Sequence, residues 1–368
     1  MSDSKSRFIQ LHILTSYPAA NLNRDDLGRP KTVTMGNVQR LRVSSQSLKR
    51  AWRTSDVFSA ALGGNLGVRT KEIGKCVYRA LVNGVTLDEA MRDPEATGAL
   101  PKVKEASAFK IGRAIGSVFA KIKAEKKGDL DSLETEQMAH LTPTEIDNVA
   151  KLVEVCRENG KEPDSESLDL LRKENAAADV ALFGRMLAAS NRFNVEAAAQ
   201  VAHAMTVHSS VVEDDFFTAV DDLNREDAGA GHMGVAEFGA GLFYLYLCVD
   251  RELLAANLGG DAELVGKALG ALVEAACTVS PTGKQNSYAS RAYASYCLAE
   301  KGDAHPRTLA NAFLKPLDDD GYDLLDKAME MLTAQRDDFA RIYGSAPESV
   351  FFGPGAGTLA DIRTFITE

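Results

Sequence analysis

The stretch Arg40–Arg53, RLRVSSQSLKRAWR, carries the densest set of side chains able to do chemistry. On a helix starting near Ser44, steps of three and four put Gln46, Lys49, Arg50 and Arg53 on one face, with Leu48, Ala51 and Trp52 opposite. Ser44 or Ser45 is a good N-cap, and the helix start adds free N–H groups, a positive dipole end and the hydroxyls of Ser44, Ser45 and Ser47. The spacing predicts that the helix runs to about Ser59 and that Arg40 and Arg42 point outward from the strand before it. Such a set suits several successive phosphates rather than one. No acid on this helix face offsets the bases, which favours an anion site over a solvated surface helix that happens to be basic.

The charge distribution points the same way. The chain has 42 basic and 52 acidic residues, a net −10 that taken alone argues against a nucleic-acid binder. Yet residues 1–53 hold ten Lys/Arg and three Asp, a local +7 on an otherwise acidic body at −17.

Other residues are weaker candidates. Asn23-Arg24-Asp25-Asp26 lies in the loop before this element; its carboxylates could hold a metal or act as a base, but structural use is the better reading. Phe216-Phe217 could stack on bases, worth ~1–3 kcal/mol per base, and Met233 between Gly231 and Gly234 could wedge between them. From the residues alone, pinning the loop to the core is the slightly better reading for all three. His203 and His208 lack ligand spacing and read as satisfied core or surface histidines. There is no G-x-x-x-x-G-K-[ST], H-E-x-x-H or G-x-S-x-G, and Gly353–Gly357 reads as a turn. Nothing demands catalysis.

The elements that must position these groups are legible in outline. Residues 8–15 alternate as a half-buried strand, followed by a polar loop from about Ser16 to Gln39. From about 60 to 180 the pattern is helical and charged, clearest at the capping box Thr142-Pro143-Thr144-Glu145. Strand periodicity returns at Val201, His203, Met205 and Val207, and again at Phe243–Val249. Between them lies Ser209–Ala236, a connection too long for an ordinary hairpin loop and expected to have a function of its own. Helices over about Ala262–Thr278 and Leu317–Tyr343 complete an α+β core interrupted by two insertions.

Composition excludes several classes. With 368 residues, 45% hydrophobic and 26% charged, the chain is an ordinary globular protein, not disordered, collagenous or coiled-coil. The longest apolar run, Leu242–Val249, is far short of the ~20 residues of a membrane-spanning helix. Gln10 and His12 interrupt the apolar stretch near the start, so no secretory signal is expected. Five single cysteines without a C-x-x-C pair argue against a disulfide framework or zinc site and for the cytoplasm.

Several motifs, in order, resemble the backbone subunit of type I-E CRISPR Cascade, the CasC or Cse-type family of the RRM-like Cas superfamily. They are Leu22-Asn23-Arg24-Asp25-Asp26, Arg40–Arg53, Gly184-Arg185-Met186, Ala202-His203-Ala204, Phe217–Leu223 and Gly241-Leu242-Phe243-Tyr244. The resemblance spans nearly the whole chain and is weak over 60–180. It implies a modified RRM-like (ferredoxin-like) palm over 1–59, 181–208 and 241–368, helical fingers over 60–180 and a thumb over 209–240. It implies a ribonucleoprotein in which copies polymerise along the guide RNA (crRNA), each thumb folding over RNA held by a neighbour and displacing one nucleotide at intervals. Carried over by position, Arg24, Lys31, Arg40, Arg42, Ser44, Gln46, Lys49, Arg50 and Arg53 grip the guide. Met186 lies near the displaced base, and Phe216, Phe217 and Met233 wedge against bases, with Phe216 where the family pattern has tryptophan. No RNP1 aromatic signature is present, which argues against binding on the usual RRM sheet face.

The expected function is non-catalytic, with no cofactor or metal: sequence-independent guide binding that presents bases to target DNA in antiviral defence. The expected partners are crRNA, target DNA through the guide, other copies, other Cascade subunits and a recruited helicase-nuclease, with no membrane. The rival is a metal-dependent ribonuclease subunit using Asp25 or Asp26; a general RNA chaperone is a third reading.

Overall fold

The computed structural model describes residues 6–126, 128–172, 177–187, 190–220, 230–318 and 323–368. They form two compact units, one of Met1–Ala61, Ala199–Glu252 and Gly266–Glu368, the other of Leu62–Ala198 and Leu253–Val265. Strands in chain order are β1 (Phe8–Ala20), β2 (Thr32–Met35), β3 (Val38–Val43), β4 (Val68–Thr70), β5 (Ala139–Leu141), β6 (Ala199–Val201), β7 (Ala204–Thr206), β8 (Glu213–Val220), β9 (Ala230–Asp250), β10 (Tyr296–Gly302) and β11 (Glu348–Phe352). The fold is mixed α/β with a large antiparallel sheet.

In the first unit the sheet runs β11-β10-β1-β9-β7-β3-β2, with β6 and β8 also paired to β9. β1 lies between β9 and β10, Leu11 facing Leu247 on one side and Ala299 on the other. It was expected to be half-buried; instead Ile9 to Thr15 are buried throughout, because both faces of this central strand are covered. Its polar residues are therefore matched internally. His12 Nε2 lies 3.1 Å from Glu300 Oε2, and its Nδ1 lies 2.9 Å from the Tyr244 hydroxyl. Arg307 caps the same Glu300 carboxylate through both terminal nitrogens. Gln10 Oε1 accepts from the Tyr246 hydroxyl and the Arg307 amide. Leu14, Val207, Leu298, Phe313 and Leu332 fill the apolar core beside this network.

Helices build the second unit. The helix Pro143–Asn159 starts on the expected capping box and ends at Gly160 in the left-handed conformation. Helices Ile73–Asn83 and Glu105–Phe119 approach at Gly74 and Gly112, where an added Cβ on Gly112 would lie 2.6 Å from the Gly74 carbonyl. A buried cluster of Ile73, Leu81, Ile115, Phe119, Val149 and Val153 holds them together. The contacts of residues 181–198 place that segment here rather than with the sheet. Arg185 explains why: fully buried, it donates to Glu145 Oε2 at 2.7 Å and to the carbonyls of His140, Arg172 and Phe193.

Candidate nucleic-acid interface

α1 (Ser45–Arg53) is shorter than its periodicity suggests. Ser44 is the N-cap, its hydroxyl accepting from Ser47 N–H at 3.3 Å, and Leu48, Ala51 and Trp52 are its buried face. It stops because Thr54 and Ser55 turn their hydroxyls onto the carbonyls of Arg50 and Trp52. Ser55 Oγ then accepts from Phe58 N–H and starts the next helix, Asp56–Leu62. The first turn of α1 holds no acid, while Arg50 and Arg53 lie in the last. Gln46 and Arg50 are exposed; Lys49 and Arg53 are half-buried. The basic face expected of this helix is therefore present at the surface. The Ser44 hydroxyl is buried and committed to capping the helix.

The loop before β2 is fastened to that helix end. Asn23 Oδ1 accepts from the Ser44 N–H at 2.8 Å, and Asn23 O accepts from Lys31 N–H at 2.8 Å. Arg24 is exposed on this loop, and Lys31 is half-buried at its end. Asp25 Oδ1 accepts from both Leu27 and Arg29 N–H at 2.9 Å, an Asx-type turn closed by Gly28 at φ +86°. Asp25 thus organises the loop, and Asp26 is exposed beside it. Among the described residues no group of three or more His, Cys, Asp or Glu is placed to hold a metal ion.

The hairpin of β2 and β3 turns at Gly36 and Asn37, both at φ +64°, as a tight type I′ connection demands. Here one expectation is overturned. Arg40 does not point outward: it is 1% exposed. Its guanidinium donates to the carbonyls of Met35 at 3.1 Å, Thr206 at 2.8 Å and Phe313 at 2.6 Å. The turn Ala310–Phe313 covers that face of the strand, so Arg40 clamps backbone and is not available to a ligand. Arg42, two residues on, is half-buried and donates from Nη1 to His203 Nδ1 at 2.9 Å. His203 sits in the break between β6 and β7, where a single continuous strand was expected. Burial first, then Arg42 and Lys31, lowers its pKa, so it is a neutral acceptor in this pair. Nothing in the spacing of His203 flagged this role; only its registration beside β3 shows it.

The long insertion is a β-ribbon rather than a loop, with residues 221–229 and the motif residues Asp221–Leu223 outside the described ones. β8 pairs with the first part of β9, Phe216 opposite Val235, Phe217 opposite Gly234 and Thr218 opposite Met233. Every residue of β8 is exposed. Phe216, Met233 and Val235 fall on one face at 64%, 63% and 60% exposure. Phe217 lies on the other, its ring over Gly234, where a Cβ would sit 2.6 Å from Cζ. Glycine is needed there for the ring to lie flat. Met186, on the helical unit, is 80% exposed, projected from backbone that the buried Arg185 anchors.

Among the described residues no helix is long and apolar enough to cross a membrane. No curated protein matches the chain in sequence. Two solved structures are similar over nearly their full length. A chain of a "CRISPR RNA-guided surveillance complex, pre-nicking" is 29% identical with a TM-score of 0.79, covering 98% of this chain and 99% of that one. A chain of a "CRISPR RNA-guided surveillance complex" is 25% identical with a TM-score of 0.60, covering 98% of each. The family model described as CT1975-like protein matches residues 9–364, so this chain belongs to the CT1975-like protein family.

Proposed function

We propose that the chain is a guide-RNA-binding backbone subunit of a Cascade surveillance complex, of type I-E by its motifs. Copies polymerise along the crRNA beside other Cascade subunits and present the guide to target DNA, and a helicase-nuclease is recruited by the complex. The observation that carries this reading is the surface of α1 and its flanking loop. Lys49, Arg50 and Arg53, with Gln46 on the same face and Arg24, Lys31 and Arg42 nearby in the chain, give a run of cations on a helix with no acid in its first turn. The 29% identity to a surveillance-complex chain supports it. Contacts of this kind meet phosphates and carry no base identity, so specificity passes to Watson–Crick pairing. The exposed ribbon face of Phe216, Met233 and Val235 supports a thumb that wedges bases, and the large antiparallel sheet a modified RRM-like palm.

The test is the double variant Lys49→Glu, Arg53→Glu. It should fold yet fail to assemble on RNA when co-expressed with a CRISPR array, seen as a lower 260/280 nm ratio and loss of the large particle. Undiminished assembly would overturn the reading. The subunit is proposed to be non-catalytic. Incubating the complex with complementary RNA and Mg²⁺ checks this: regularly spaced products that vanish on Asp26→Ala would make it a ribonuclease instead.

A further inference from the structure

Beside α1 the chain builds a second wall that no motif flags. Residues 280–292 form a surface loop closed at its neck. Ser280 Oγ donates to the Ala292 carbonyl at 3.0 Å and accepts from the Ala292 N–H at 2.9 Å, and Ala294 N–H reaches Cys277 O at 2.7 Å. Such compact Ω-type loops are frequently functional. Within it, a single helical turn, Gln285–Tyr288, is bracketed by two non-glycine residues in the left-handed conformation, Lys284 at φ +52° and Ala289 at φ +48°. Such backbone persists only where surrounding structure imposes it. Gly283 supplies part of that constraint: it lies so close to the Leu22 carbonyl that no Cβ fits between them. The loop is thereby locked to the same 21–23 segment whose Asn23 holds the start of α1.

Between this loop and α1 run two adjoining depressions of about 490 and 740 Å³, sharing Ala51, Thr54 and Thr282. Arg24, Asp25 and Arg50 line one end; Asp56, Gln285, Arg291 and Tyr293 line the other, so two cations offset one carboxylate at the first end and one cation faces one carboxylate at the second. Arg291 is exposed, and Tyr293 is 72% exposed.

The geometry points to this groove as a continuation of the polyanion track: a ribonucleotide strand leaving Arg50 runs along the loop. There Arg291 meets a phosphate and Tyr293 stacks on a base. The inference rests on the proposed guide-binding function and adds residues to it.

The test measures binding of a labelled uridine homopolymer to the full chain. Arg291→Gln should reduce the dependence of log K on log salt by about 0.7, the share of one phosphate on a single strand. Tyr293→Ala should weaken binding about tenfold with the salt slope unchanged. The Lys49→Glu, Arg53→Glu variant runs alongside. If that variant loses RNA while Arg291→Gln and Tyr293→Ala bind as the wild type does, the groove assignment falls and the guide-binding reading stands. If the wild type does not bind RNA, the guide-binding reading falls first.

Discussion

Arg42 donates to His203 Nδ1 across 2.9 Å, joining β3 to the break between β6 and β7. The pair makes a pH-sensitive element inside the proposed interface. In the free protein, burial together with Arg42 and Lys31 keeps His203 neutral below its ordinary value of 6.5. A phosphate placed at Arg42 favours the charged imidazole, so His203 has a higher pKa bound than free. Affinity for RNA then rises as pH falls through that window, by at most about tenfold per unit for one proton. Measured Kd between neutral and mildly acidic pH should show this slope, and His203→Gln should flatten it. A wild-type profile that is already flat refutes the coupling.

Arg40 and Arg42 are chemically alike and two residues apart, yet have opposite duties. Removing Arg40 takes a charged donor from the carbonyls of Met35, Thr206 and Phe313 and empties the space its side chain fills, at about 1–3 kcal/mol for any buried carbonyl left unsatisfied. Arg40→Ala should therefore lower the thermal midpoint strongly, whereas Arg42→Ala should leave it within the range of a surface change. Equal effects in thermal unfolding would contradict the burial difference.

That pair also marks what the sequence could and could not reveal. The face of α1 was readable because Gln46, Lys49, Arg50 and Arg53 are coupled by helical geometry alone, and Trp52 opposite them had to be buried. The capping box at Thr142 and Glu145 was readable for the same reason, each cap being a local arrangement. Arg40 was not, because what buries it is Phe313, 273 residues away. The ribbon of β8 and β9 was hidden too: Asp, Glu and Gly in that segment suppress the strand signal, and register with Gly234 appears only once Phe217 is laid across it. Gln285, Arg291 and Tyr293 carry no periodicity, and only the closed neck at Ser280 makes them neighbours of α1.

The exposed face of the ribbon should matter for assembly rather than for stability. Phe216 and Met233 make little burial in the isolated chain, so Phe216→Ser with Met233→Ser should change unfolding free energy by no more than about 0.5 kcal/mol. If the ribbon wedges bases of a bound guide, the same variant should still load RNA through α1 but pair more weakly with target DNA. Unfolding curves and target-binding titrations separate the two effects. A variant that unfolds early would return these side chains to a packing role.

The buried network around β1 sets the acid limit of the fold. Burial alone would raise the Glu300 carboxyl, but the hydrogen bonds from His12 and Arg307 outweigh it and hold the group at about 2, against an ordinary 4.5. Burial likewise lowers His12 below its ordinary 6.5, so the ring stays neutral between Tyr244 and Glu300. Both groups bind protons more readily when unfolded, so both contributions are lost as pH falls. The His12 part fades below about 6.5 and the Glu300 part between about 4.5 and 2. Thermal midpoints should therefore decline on acidification in that order. Glu300→Gln should lower the midpoint at neutral pH, because it leaves Arg307 facing a neutral amide, and should flatten the decline in the lower window. A variant as stable as the wild type at neutral pH, with an unchanged acid slope, would mean that Glu300 does not carry the charge this geometry gives it.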